Sequence, residues 1–142
     1  MYSVPDLYAK AARMQVPVVE FCLPNNGSVS FQEGERCYIG LDESVCDGGA
    51  LERVHLSHEL GHCATGSFYN VHAPRDLRER HENRADKWAI RELISEDALD
   101  RAIASGCTSL WSLAEYFGVT EGFARKAVCL HTHGNIATEL YF

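Results

Sequence analysis

Histidines at 58 and 62 with a glutamate at 59, in the run His58-Glu59-Leu60-Gly61-His62, form an arrangement able to do metal chemistry. On an α-helix, positions i and i+4 stack on one face, so both imidazoles can reach one metal ion at about 2.0–2.1 Å. Glu59 is rotated about 100° from His58, beside the open coordination position, where a carboxylate can take a proton from water. With 7 histidines and 13 glutamates among 142 residues, the H-E-x-x-H pattern arises by chance roughly 0.03 times. Gly61 adds weight: a mid-helix glycine costs about 1 kcal/mol relative to alanine, and its use implies a close backbone approach.

A catalytic zinc takes three protein ligands and keeps a fourth position for water. Helical spacing over residues 76–94 sets Glu82, Ala85, Asp86, Ala89 and Leu93 on one stripe. Two carboxylates on a side otherwise small and apolar are expensive to bury unless a metal and a metal-bound histidine compensate them. Glu82 is therefore the expected third ligand, and the alanines would let the two helices approach closely. Asp86, one turn on, is placed to accept the outward N–H of His58 and fix its tautomer. His81, Asp86 and His72 stand in reserve as ligands, in that order. The competing reading of this stretch is a solvated charged helix, which the run Arg78-Glu-Arg-His-Glu-Asn-Arg84 resembles. Tyr69, His72, His81 and Arg84 are candidates for contacting substrate or a developing oxyanion, and no spacing rule chooses among them. His55, one turn before His58 on the same face, is read as packed or as supporting the site.

Other elements must hold these two helices. A first helix is expected over 6–15, ended by Pro17. Short strands follow over 18–23, 28–31 and 36–41, separated by the turn clusters Pro24-Asn-Asn-Gly27 and Glu33-Gly34. Residues 42–49 read as loop. The active helix runs from Ala50 to about Thr65, a loop spans 67–75, and Ser95 caps a helix reaching Ala104. A final helical pair covers 109–117 and 121–130. Strands first and helices afterwards give an α+β fold. The expectation is a single domain with an N-terminal helix and sheet (1–49), the active-site helices (50–94) and a helical tail (95–142). The last strand, 36–41, is a candidate for holding an extended substrate by strand addition.

Composition narrows the function classes. The chain is 46% hydrophobic and 23% charged, ordinary for a soluble globular protein. The opening residues lack a secretory signal and nothing approaches a membrane span, so a cytoplasmic location is expected. Six cysteines without C-x-x-C spacing are then read as reduced, with Cys46 and Cys63 close enough in sequence to approach the metal. A formal net charge of −7 disfavours direct nucleic-acid binding. The helix-turn-helix-like stretch from Leu110 to Leu130 agrees, because its second helix sets Arg125 and Lys126 against Glu121 and fits packing better than groove reading.

The strand Cys37-Tyr-Ile-Gly-Leu-Asp42, the run His58-Glu-Leu-Gly-His-Cys63, the pair within Glu82-Asn-Arg-Ala-Asp86 and the tail Leu113-Ala-Glu-Tyr-Phe-Gly-Val-Thr120 together resemble the ImmA/IrrE metallopeptidases. These are encoded mostly by phages and mobile elements, and the likeness covers most of the chain. The resemblance implies a zincin-like core of gluzincin type. It implies one Zn²⁺ per chain on His58, His62 and Glu82, with Glu59 as general base, although such a donor set also accommodates Mn²⁺ or Fe²⁺. It further implies a protein substrate, a helix-turn-helix repressor whose cleavage lifts repression of the element. The chain ends soon after the helical tail, so the sensory domain of longer members is not expected. The alternative is a non-catalytic, metal-containing binding module, an anti-repressor that sequesters its partner.

Overall fold

The computed structural model describes residues 2–70 and 72–142. Helix α1, Val4–Arg13, starts two residues earlier than the periodicity predicts, because Ser3 and Asp6 form a reciprocal capping box around Pro5. Strands β1 (Val18–Glu20), β2 (Ser28–Glu33) and β3 (Arg36–Leu41) form one sheet in the order β1-β3-β2. β1 runs parallel to β3, with Val18 opposite Ile39. β2 is antiparallel to β3, from Ser28 opposite Leu41 to Glu33 opposite Arg36. β1 is shorter than the expected 18–23. Phe21 N–H still reaches the Leu41 carbonyl, but Leu23 N–H turns to the Asp42 carboxylate.

One face of the sheet is buried: Ile39 and Leu41 are inaccessible and lie in a common core with Leu56 and Leu60 of helix α2, Ala50–Thr65. That helix ends where Gly66 adopts a left-handed conformation. The loop from Ser67 onward leads to α3, Arg75–Leu93, with position 71 outside the described residues. Ala85, Ala89 and Ile90 of α3 are fully buried, and α2 and α3 form the principal helix pair of the fold. The mixed α+β architecture expected from the sequence is thus the observed one.

Four helices complete the chain: α4 (Glu96–Ala104), capped by Ser95, then α5 (Leu110–Phe117), α6 (Glu121–His133) and α7 (Thr138–Tyr141). The tail folds back on α2 and α3. Buried Arg53 of α2 donates Nε–H to the Tyr2 carbonyl at 2.9 Å and Nη1–H to the Gly118 carbonyl between α5 and α6. Lys126 of α6 reaches Asp86 on α3 at 2.8 Å. One of the two basic residues of the helix-turn-helix-like segment is therefore engaged inside the molecule.

The cysteine reading needs correction. Cys37 at the start of β3 and Cys63 near the end of α2 are joined as a disulfide, with their Cα atoms 5.8 Å apart. They are separated by 26 residues, and only the packing of strand on helix brings them together, a proximity no local spacing announces. Cys22, Cys46, Cys107 and Cys129 are free thiols.

Candidate metal centre

Helix α2 presents His58 and His62 on one face, their rings 4.8 Å apart and nearly perpendicular. Glu82 of α3 reaches between them. Its Oε2 lies 2.8 Å from His58 Nε2 and its Oε1 lies 3.0 Å from His62 Nε2. Across the three side chains, one ligand atom from each falls within 4.8 Å of the others. The helices can come this close because of Gly61. A Cβ there would collide with the Ala85 carbonyl oxygen and lie 3.0 Å from the Ala85 Cα and carbonyl carbon.

Each imidazole is oriented from behind. His58 Nδ1 sits 2.6 Å from Asp86 Oδ1, and His62 Nδ1 sits 2.6 Å from the Ser67 carbonyl, so both rings turn Nε2 towards Glu82. Such outward hydrogen bonds fix the tautomer and raise ligand basicity. Ligands tetrahedrally arranged at 2.0–2.1 Å from an ion stand roughly 3.3 Å apart, within about half an ångström of the 2.8 and 3.0 Å that separate Glu82 from the two histidines. The donor set of two nitrogens and one carboxylate, with both remaining ring nitrogens satisfied, fits a divalent metal ion.

The electrostatics express the same demand for positive charge. Burial alone would pull His58 down, but its hydrogen bonds to Asp86 and Glu82 outweigh that and raise its pKa to about 10. Burial opposes ionisation of Glu82, yet the hydrogen bonds from His58, His62 and Tyr69 hold it well below the usual carboxylate range. Asp86 is likewise lowered, with burial outweighed by His58 and Lys126. Two carboxylates thus retain a cation between them, and without a metal that cation is the His58 proton.

Glu59 follows His58 on the helix, is buried, and faces a cleft of about 930 Å³ that is also lined by His58, His62, Glu82 and the first residues of β2. Of the remaining sequence candidates, Tyr69 joins the site: its hydroxyl donates to Glu82 Oε1 at 2.7 Å. Burial and that bond raise the Tyr69 pKa to about 12, which keeps it a donor at neutral pH. His81 stacks on the Tyr69 ring, and its buried Nδ1 has no hydrogen-bond partner among the described residues. His72 and Arg84 are exposed and do not line the cleft. Cys63 is bonded to Cys37, and the exposed Cys46 contacts the Asp42 carbonyl, so neither thiol approaches the centre.

Sequence reasoning gave Ser28 no role. Its hydroxyl donates to Glu59 Oε2 at 2.6 Å and lies 2.7 Å from His55 Nδ1. No spacing rule links residue 28 to residue 59; the β2–α2 contact does.

Residues 30–128 match the family model of the IrrE N-terminal-like domain, peptidase family M78. The chain belongs to this family. Membership supports a metallopeptidase type of function and a protein as substrate, and the matched span contains His58, Glu59, His62, Glu82 and Asp86. No curated protein matches the chain. Among the described residues, no helix of this M78 family member is long and apolar enough to cross a membrane.

Proposed function

We propose that the chain is a zinc-dependent endopeptidase that cuts an extended segment of a protein partner, a helix-turn-helix repressor of a phage or mobile element. The observation that carries this reading is the convergence of His58, His62 and Glu82 from two helices, with the carboxylate of Glu59 beside them on the cleft wall. His58, His62 and Glu82 would hold the ion, one per chain, and Asp86 would keep His58 in its ligating tautomer. A bound divalent ion would polarise the scissile carbonyl and acidify a water molecule. Glu59 would accept a proton from water at the cleft and deliver it to the departing amine. Tyr69, a neutral donor at the cleft, is the side chain best situated to hydrogen-bond the carbonyl oxygen as charge develops on it.

The substrate strand belongs on β2. The 36–41 strand named from the sequence is the middle strand, with both of its edges occupied by β1 and β2. β2 pairs on one side with β3, and its residues Ser28, Val29, Ser30 and Phe31 line the cleft. An extended peptide can add to its other edge, whereas a folded helix presents no free backbone groups for such pairing. The −7 charge suits a basic DNA-binding partner.

The test is co-expression with a repressor encoded beside the gene, followed by mass spectrometry, with Glu59→Gln as control. Cleavage by the wild type, and at least about 10²-fold less by Glu59→Gln at unchanged metal content, is the expected outcome. An intact repressor in both cases, under conditions that relieve repression, would eliminate cleavage. Relief by Glu59→Gln itself would establish sequestration in its place.

A further inference from the structure

A carboxylate acting as a base works best when its free oxygen is aimed by neighbours that are themselves locked. Glu59 Oε2 accepts the hydroxyl of Ser28 at 2.6 Å, and the same Ser28 oxygen lies 2.7 Å from His55 Nδ1. A serine hydroxyl has one proton, and an ionised carboxylate can only accept. The Ser28 proton therefore points at Glu59, and His55 must donate through Nδ1–H. The direction of the chain is fixed: His55 Nδ1–H to Ser28 Oγ–H to Glu59 Oε2. Among the described residues no donor engages Oε1, which is left for the reacting water.

The parts of this relay are held independently of one another. Ser28 opens β2 and is registered against Leu41, while the preceding Gly27 carbonyl accepts from Asp42 N–H at 2.8 Å. Gly27 has φ +77°, and a Cβ on it would lie 2.9 Å from His55 Cε1 and 2.9 Å from Val45 Cγ1. The His55 ring is thus seated directly against the backbone that carries Ser28. His55 itself stands one turn before Glu59 on α2, and both Ser28 and His55 line the cleft.

We propose that Ser28 and His55 are positioning residues for the Glu59 base, so that the strand whose free edge receives the substrate also aims the group that activates water. This rests on the peptidase reading above. A hydrogen bond to a charged group justifies an effect of roughly 10- to 100-fold when its donor is removed.

The experiment uses the full chain loaded with zinc, fluorescein-labelled β-casein as an unfolded protein probe, and ¹⁵N NMR of the histidine side chains. Ser28→Ala should lower kcat by roughly 10- to 100-fold with KM and zinc content nearly unchanged, and Ser28→Thr should restore most of the loss. His55 should show the Nδ1–H tautomer in the wild type and lose it in Ser28→Ala. A part that merely filled space would alter thermal stability without this split and without rescue by threonine. Wild-type turnover with an equally active Ser28→Ala would overturn the inference, as would an Nε2–H tautomer at His55. If the wild type does not cut casein, the peptidase reading loses support; the tautomer still decides whether the relay exists.

Discussion

Replacing Gly61 with alanine separates helix propensity from helix packing at the centre of the molecule. In isolation the change should stabilise α2 by about 1 kcal/mol, because alanine is the better helix former. The added methyl, however, meets the Ala85 carbonyl group and a Cα at 3.0 Å. Carbon atoms pack without repulsion at about 3.5–4.0 Å, and the obstacle is backbone, which cannot rotate aside. α2 and α3 must separate by roughly half an ångström or more, and overpacking of this kind costs about 1–3 kcal/mol. The net expectation is a loss of stability up to about 2 kcal/mol. Metal affinity should suffer more, because ligand distances tolerate only about 0.2 Å and Glu82 sits one turn from Ala85 on the helix that moves. Calorimetric unfolding of the metal-free protein and zinc titration against a chelating dye give the two numbers. Gly122→Ala is the control: its Cβ would meet nothing within 4 Å, so it should be neutral or stabilising by up to about 1 kcal/mol. A Gly61→Ala protein as stable as wild type, with unchanged zinc affinity, would refute the close-approach reasoning.

His58→Ala and His62→Ala should leave almost no bound zinc by elemental analysis and Glu82→Ala much less than wild type, whereas Asp86→Ala should cost roughly 10–100-fold in affinity. Lys126→Met should cost far less, since its side chain is about two-fifths exposed and such ion pairs contribute at most about 1 kcal/mol; an equal loss from both would show that Asp86 acts only as an ion-pair partner. For chelator-treated protein the His58 pKa is raised to about 10, so its contribution is complete below the unfolded value near 6.5 and declines as pH rises towards 10. The melting temperature of that form should fall over this interval while the increment given by added zinc grows, as scanning fluorimetry across pH would show. Reducing Cys37–Cys63 opens a loop of 26 residues, for which the chain-entropy relation gives a loss of about 3.5 kcal/mol; denaturation with and without reductant measures it.

The sequence made the chemistry legible further than the scaffold. His58, Glu59 and His62 are local on one helix, so their relation follows from helical geometry. Glu82 and Asp86 were found because carboxylates on an otherwise apolar stripe need an explanation, and α3 does turn both towards α2. The strands could be located by turn residues and β-branched runs, but their order depends on which edges meet in space. That is why the sequence points to 36–41 for strand addition although this strand lies in the middle of the sheet. The disulfide and the Ser28–His55–Glu59 contact were invisible for the same reason: each joins a strand to α2 across more than twenty residues, with no periodicity to relate them. Tyr69 could be shortlisted by proximity in sequence, but only the path of the loop after Ser67 separates it from His72.

Arg53 gives the tail a meaning beyond packing. The residue is 7% exposed and its guanidinium donates to two carbonyls, one at Tyr2 and one at Gly118. A fragment ending at Ala104 would take the Gly118 carbonyl from that charge on α2 and leave Asp86 without Lys126 as well. Losing a hydrogen bond to a charged group costs about 1.5–3 kcal/mol, a sizeable share of what holds a domain of this size together. Residues after α4 are thus not an appendage that evolution or an engineer can exchange freely. The matched span, 30–128, reaches past both Gly118 and Lys126, so the family model takes in both contacts that tie the helical tail to α2 and α3.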